Sequence, residues 1–187
     1  MSAPHELPDL VSATLDLSRR RGFISSTRHE TGRLLATLAA SKVGTLAELG
    51  TGTGVGSAWL ASGAPDEARI VSAELDPALA GEVHEIFTDV ENVEIISGDW
   101  SALEQFAPFA LVFVDVREVM ESIDHLADLV EPGGIVVLDD FTPSLTWPPI
   151  VDGHVDTIRE QWLTDERFAA VELLIDEGAS LVIATRR

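Results

Sequence analysis

Five short apolar runs rich in β-branched residues, at positions 45–49, 69–74, 93–97, 111–115 and 135–139, recur along the chain with helical patterns between them. Each is strand-sized and lacks polar alternation, as expected of a strand buried on both faces. Segments 56–62, 77–90 and 119–130 read as helices and 101–105 as a short helical turn. The last helix is stopped by Glu131-Pro132-Gly133-Gly134. Strands and helices alternating in this way predict a parallel sheet built from right-handed crossovers, with helices on both faces.

The two ends of the chain break that rhythm. Residues 27–40 place Leu34, Leu35 and Leu38 on one face of an amphipathic helix that leads into the first strand. A further helix over 156–164 precedes strands at 170–176 and 180–185, and Glu177-Gly178 between these strands is a hairpin signal. The expected sheet therefore has seven strands, five parallel ones followed by an antiparallel hairpin. With 187 residues, 45 % of them apolar, and no repeat or linker, the chain reads as one domain, residues 1–26 forming a helical extension.

The chemistry gathers at the end of the first strand, in Glu48-Leu49-Gly50-Thr51-Gly52-Thr53-Gly54. Glycines here let the backbone turn sharply and let a ligand lie against the main chain. The next strand ends in Ala73-Glu74-Leu75-Asp76, where a carboxylate can accept hydrogen bonds from both hydroxyls of a ribose. Together these features indicate a nucleoside cofactor. The dinucleotide pattern Gly-x-Gly-x-x-Gly fails, because the third position is Val55 counted from Gly50 and Ser57 counted from Gly52. Glu48 would also sit badly beside a pyrophosphate. It suits a ligand carrying an ammonium and a sulfonium, as S-adenosylmethionine does.

With these motifs the sequence resembles the class I S-adenosylmethionine-dependent methyltransferases, and among them the catechol and caffeoyl-CoA type O-methyltransferases. The resemblance runs from about residue 27 to the C-terminus. It is carried by Thr27-Arg28-His29-Glu30-Thr31-Gly32, the glycine turn, Glu74, Gly98-Asp99-Trp100, Phe113-Val114-Asp115, Pro132-Gly133-Gly134 and Asp139-Asp140. It implies an α/β, Rossmann-like class I methyltransferase fold whose mainly parallel seven-stranded sheet ends in an antiparallel hairpin. It further implies that Glu48 and Gly50 hold the amino-acid end of the cofactor, Glu74 the ribose, and Asp99 and Trp100 the adenine border. Thr51, Gly52, Gly54, Leu75, Gly98 and Asp115 complete the cofactor-binding set.

The same resemblance implies a divalent metal, such as Mg²⁺, held by Asp115, Asp139 and Asp140 at the carboxyl ends of adjacent strands and chelating the acceptor oxygen. Two residues depart from the family pattern. Asp140 stands where asparagine is usual, and Glu118 stands where many members carry a lysine. The other reading of these aspartates is that Asp115 belongs to the cofactor pocket and Asp139-Asp140 merely end the fifth strand.

On the substrate side, residues 142–155 form a proline-rich lid loop with Trp147 and His154 as candidate contacts. His154 and Asp115 are the candidate catalytic residues, and Arg28 and His29 could form the opposite wall. His5, His84 and His125 read as surface residues. Segment 7–17 could serve a homodimer interface. A net charge of −20, from 12 basic and 32 acidic residues, disfavours nucleic acid as a partner and favours a small-molecule acceptor. The lone basic cluster, Arg19-Arg20-Arg21, reads as a solvated helix end or a local anion patch. No apolar stretch approaches the roughly 20 residues of a membrane span. The absence of cysteine and of a secretory signal fits a cytoplasmic protein. Two rival functions remain at this stage, methylation of a tRNA base hydroxyl and cofactor binding without catalysis.

Overall fold

The computed structural model describes residues 6–23 and 26–187, so His5 lies outside the described residues. Its elements are α1 (Asp9–Arg21), α2 (His29–Ala39), β1 (Thr45–Leu49), α3 (Val55–Gly63), β2 (Arg69–Glu74), α4 (Pro77–Ile86) and β3 (Val93–Ser97). A 3₁₀ helix (Trp100–Phe106), β4 (Phe109–Val114), α5 (Arg117–Met120), α6 (Ile123–Leu129) and β5 (Val130–Phe141) follow. The chain ends with the short pair β6 (Ile150–Val151) and β7 (His154–Val155), then α7 (Thr157–Thr164), β8 (Phe168–Leu174) and β9 (Ser180–Arg186).

Seven strands form one sheet in the order β3-β2-β1-β4-β5-β9-β8. The first five are parallel, and β9 enters antiparallel between β5 and β8. Because side chains alternate across a strand, each central strand feeds two cores. Ala47, Leu49, Val112 and Val114 meet Val119, Ile123, Leu126, Ile158 and Trp162 from α5, α6 and α7 on one face. Leu46, Ile70, Leu111 and Phe113 meet Val11, Leu17, Leu35, Trp59 and Val83 from α1 to α4 on the other. Val11 and Leu17, from the segment considered for a dimer interface, are thus fully buried in the chain's own core. No helix among the described residues is long and apolar enough to cross a membrane.

The expected helix over 119–130 is interrupted. Trp162 Nε1 donates to the Met120 carbonyl at 2.8 Å, which takes that oxygen from a helical ladder, and the chain restarts as α6 after Ser122. Residues 131–134 do not simply end a helix. They bulge within β5, whose pairing with β4 jumps from Phe109↔Val130 to Leu111↔Ile135. The lid contains the β6–β7 hairpin, turned at Asp152 (φ 51°) and Gly153 (φ 80°), a pair with the positive φ values of a tight hairpin turn. Trp162, fully buried, ties α7 to α5. Trp162→Ala is expected to cost about 3–5 kcal/mol, readable as a lowered urea midpoint.

Candidate active site

The glycine turn follows β1 directly, with positive φ at Gly50 (97°) and Gly52 (53°). At Gly50 a side chain is also sterically barred, since a Cβ would lie 2.5 Å from Val116 Cγ2. Thr51 N–H donates to the Ala73 carbonyl (3.1 Å), and the Thr51 and Ser72 hydroxyls lie 2.5 Å apart, so the turn is fastened to β2. Glu74 completes the fastening. One carboxyl oxygen accepts from Gly52 N–H (2.8 Å) and the other from Asp76 N–H (2.9 Å). Asp76 in turn caps α4, accepting from Ala78 N–H at 2.8 Å.

Two chambers run past this turn and share walls, and a third adjoins the second at Asp140. The first, about 180 Å³, is lined by Gly50, Ala73, Glu74, Leu75, Gly98, Asp99, Trp100 and Val116. Asp99 caps the 3₁₀ helix through Ser101 N–H (3.0 Å), which holds its carboxyl below the usual range. Trp100 is braced edge-on by His125, with ring centroids 5.4 Å apart, and His125 is paired with Glu104 at 3.0 Å. The second chamber, about 270 Å³, adds Phe23, Gly52, Asp115 and Asp140 to Gly50, Glu74 and Val116. The third, about 400 Å³, opens from Asp140 toward the lid and is lined by Arg117, Thr142, Val151, Asp152, His154, Val155 and Asp156. A small niche beside the second chamber holds Thr51, Gly52, Thr53 and Asp115. There Thr53 Oγ1 is buried without a hydrogen-bond partner among the described residues. A larger hollow of about 510 Å³ lies away from these motifs, between the end of α7 and β8.

Most residues expected to hold the cofactor therefore converge. Gly54, which opens α3, sits behind the turn, where a Cβ would meet Val83 Cγ1 at 2.8 Å. Glu48 also lies behind the turn and is 1 % exposed. Its carboxyl accepts from the Ser57 hydroxyl and, at 3.1 Å, from the Ser72 hydroxyl, and burial raises its pKa to about 7. Asp115, just past β4, lines the niche and the second chamber. Burial, followed by the nearby Asp139, Asp140 and Glu48 carboxyls, raises its pKa to about 8. His154 is exposed and faces the third chamber. Trp147 is 62 % exposed and lies outside the chamber walls.

The structure gives no support to the metal site expected of Asp115, Asp139 and Asp140. Among the described residues, no three acidic or histidine side chains converge as an ion cradle. Asp139 is 2 % exposed and accepts from Thr31 Oγ1 at 3.5 Å. Asp140 adopts φ 62° at a bulge in the β5–β9 ladder, a conformation that aspartate tolerates better than most residues. Its carboxylate is paired with Arg28 Nη1 at 2.6 Å. A guanidinium thus pairs with one of the three expected ligands.

One residue beside the site had no sequence signal. Arg159, fully buried in α7, donates to Asp156 Oδ2 (3.0 Å), Glu172 Oε1 (2.8 Å) and the Thr142 carbonyl. It thereby clamps both ends of the lid segment. Arg117 reinforces one end through Asp156 at 3.2 Å.

This geometry, a parallel sheet with a glycine turn and a ribose-type carboxylate at its switch point, defines the class I methyltransferase fold. Residues 47–141 match the family model described as "Methyltransferase domain", and the chain belongs to that family. A Mycobacterium ulcerans protein, provisionally named as an O-methyltransferase, is 30 % identical over 69 % of this chain, which spans 63 % of that protein's length. Among solved structures, the O-methyltransferase from Bacillus cereus in complex with S-adenosylhomocysteine superposes with a TM-score of 0.79 at 18 % identity, covering 98 % of this chain and 93 % of its own. The O-methyltransferase TomG from Streptomyces achromogenes, involved in tomaymycin synthesis and bound to S-adenosylmethionine, gives 0.76 at 21 % identity, over 97 % and 91 %. At these identities the superpositions speak to the fold.

Proposed function

We propose that the protein transfers the methyl group of S-adenosylmethionine to a hydroxyl oxygen of a small molecule. The observation that carries this is Glu74, whose two carboxyl oxygens are each fixed by one backbone N–H. Each retains acceptor capacity toward the wall shared by the first two chambers. When bound, the cofactor supplies an electrophilic methyl group on sulfur. Glu74 takes the ribose hydroxyls, and Leu75, Gly98, Asp99 and Trp100 border the adenine. Gly50, Thr51, Gly52, the unpartnered Thr53 hydroxyl and Asp115 receive the amino-acid end. The third chamber has the volume of a small-molecule site, and the chain's −20 charge opposes a nucleic-acid acceptor.

The protein's work is largely positioning. Holding the acceptor oxygen in line with the methyl is worth roughly 7–11 kcal/mol. Asp115, which lines the second chamber with Asp140, is the first candidate to take the acceptor's proton, and His154 in the third chamber is the second. The test is methyl transfer from labelled S-adenosylmethionine across a panel of phenols, enols and alcohols. Asp115→Asn is expected to lower kcat by about 100-fold or more if Asp115 is the base. An unchanged rate would move that role to His154, and labelling of RNA but of no small molecule would refute the acceptor class.

A further inference from the structure

A phenylalanine outside the glycine turn closes one side of the cofactor chambers. Phe23, with Gly52 and Asp115, forms the wall that the niche beside Thr53 shares with the second chamber, and it takes no part in the first. Its ring lies directly against the turn. A Cβ on Gly52 would come within 3.1 Å of Phe23 Cζ, so the bare glycine there is what admits the ring.

The end of α1 holds this ring in place. Gly22 takes the left-handed conformation (φ 62°), and its N–H donates to the Arg19 carbonyl at 3.2 Å. Phe23 N–H donates to the Ser18 carbonyl at 3.0 Å, and the Ser18 hydroxyl donates to the Phe23 carbonyl at 2.9 Å. Both backbone polar groups of Phe23 are thus tied to one buried serine, whose hydroxyl also meets that of Ser26 in the niche. α1 itself is anchored by Val11 and Leu17 in the core and by the pairing of Arg21 with Glu82 on α4.

We infer that Phe23 is a positioning residue that roofs the amino-acid end of the cofactor, shielding it from water and slowing its release. The inference rests on the methyl-transfer reading above, which places that end at Gly52, the Thr53 hydroxyl and Asp115. Polar contacts to an ammonium and a carboxylate are strong only where water is kept out, and a ring fixed through its own backbone excludes water. The adenosine end belongs to the first chamber, whose walls do not include the ring.

Phe23→Ala should therefore discriminate between the two halves of one ligand. The experiment measures S-adenosylhomocysteine and methylthioadenosine binding by calorimetry, and S-adenosylhomocysteine release by stopped-flow displacement. Methylthioadenosine keeps the nucleoside and the thioether but lacks the amino-acid end. Phe23→Ala is expected to weaken S-adenosylhomocysteine about tenfold, mostly through faster release, and methylthioadenosine by less than about twofold. Phe23→Leu keeps an apolar cover and should recover most of the loss. Unchanged S-adenosylhomocysteine affinity in Phe23→Ala would overturn the inference. So would an equal weakening of both ligands, which is what a general loosening of the fold produces. Failure of the wild type to bind S-adenosylhomocysteine would instead bring down the methyl-transfer reading beneath it.

Discussion

Replacing Glu74 with alanine is expected to weaken S-adenosylhomocysteine binding by at least about 100-fold, since two charge-assisted hydrogen bonds to ribose are lost at roughly 1.5–3 kcal/mol each. The ligand-free fold should survive the change. Glu74 lies at a strand end and is only partly buried, and the turn keeps its Thr51-to-Ala73 bond and the Thr51–Ser72 contact. Glutamine retains one carbonyl acceptor, so Glu74→Gln should fall between alanine and wild type. Calorimetric titration of the three proteins, with thermal melts of each in the absence of ligand, separates affinity from stability. Wild-type affinity in Glu74→Ala would remove the ribose from this carboxylate.

The second large effect is on stability against pH, through Glu48. Burial raises its folded pKa from 4.5 to about 7, although two serine hydroxyls oppose the rise. The folded state therefore holds a proton that the unfolded chain releases. Below pH 4.5 both states are protonated and the contribution is fully present. It is lost as pH climbs from 4.5 to about 7, and the total change is about 3 kcal/mol at 1.36 kcal/mol per unit. Asp115, facing Asp139, Asp140, Glu48 and Arg28, slopes in the same direction up to about pH 8. General repulsion at −20 adds to both. Glu48→Gln isolates the local part. In urea unfolding it should flatten the decline between pH 5 and pH 8 and be the more stable protein at pH 8. An identical slope in the two proteins would mean that Glu48 is ionised in the folded state.

Much of this fold is written in local patterns. Thr45–Leu49 and Arg69–Glu74 have the boundaries that their apolar runs imply, because a strand buried on both faces has no freedom to drift into polar flanks, and Val93–Ser97 keeps its expected boundaries as a half-exposed edge strand. The glycine turn and Glu74 were equally legible, since their spacing is local to one strand-turn-helix unit and the next strand end. Long-range pairings were not. Trp162 breaks a helix 42 residues away by claiming one carbonyl, and Arg28 finds Asp140 across 112 residues. That second contact turned an expected metal ligand into half of an ion pair. Arg159 lies within the helix expected over 156–164, but its full burial among Asp156, Glu172 and the Thr142 carbonyl depends on contacts that no local pattern announces. The Asp152-Gly153 turn carried a hairpin signal that the surrounding prolines masked.

The most direct test is equilibrium titration of the wild-type protein with S-adenosylhomocysteine, and separately with NAD, read by tryptophan fluorescence. Trp100 borders the first chamber, whereas Trp59 and Trp162 are buried in the two cores and Trp147 lies outside the chamber walls. One saturable S-adenosylhomocysteine site is expected, with a fluorescence change that Trp100→Phe abolishes and Glu74→Ala shifts to higher concentration, and no comparable response to NAD. No saturable response to S-adenosylhomocysteine, or tighter binding of NAD, would contradict the assignment of the glycine turn to a methyl donor.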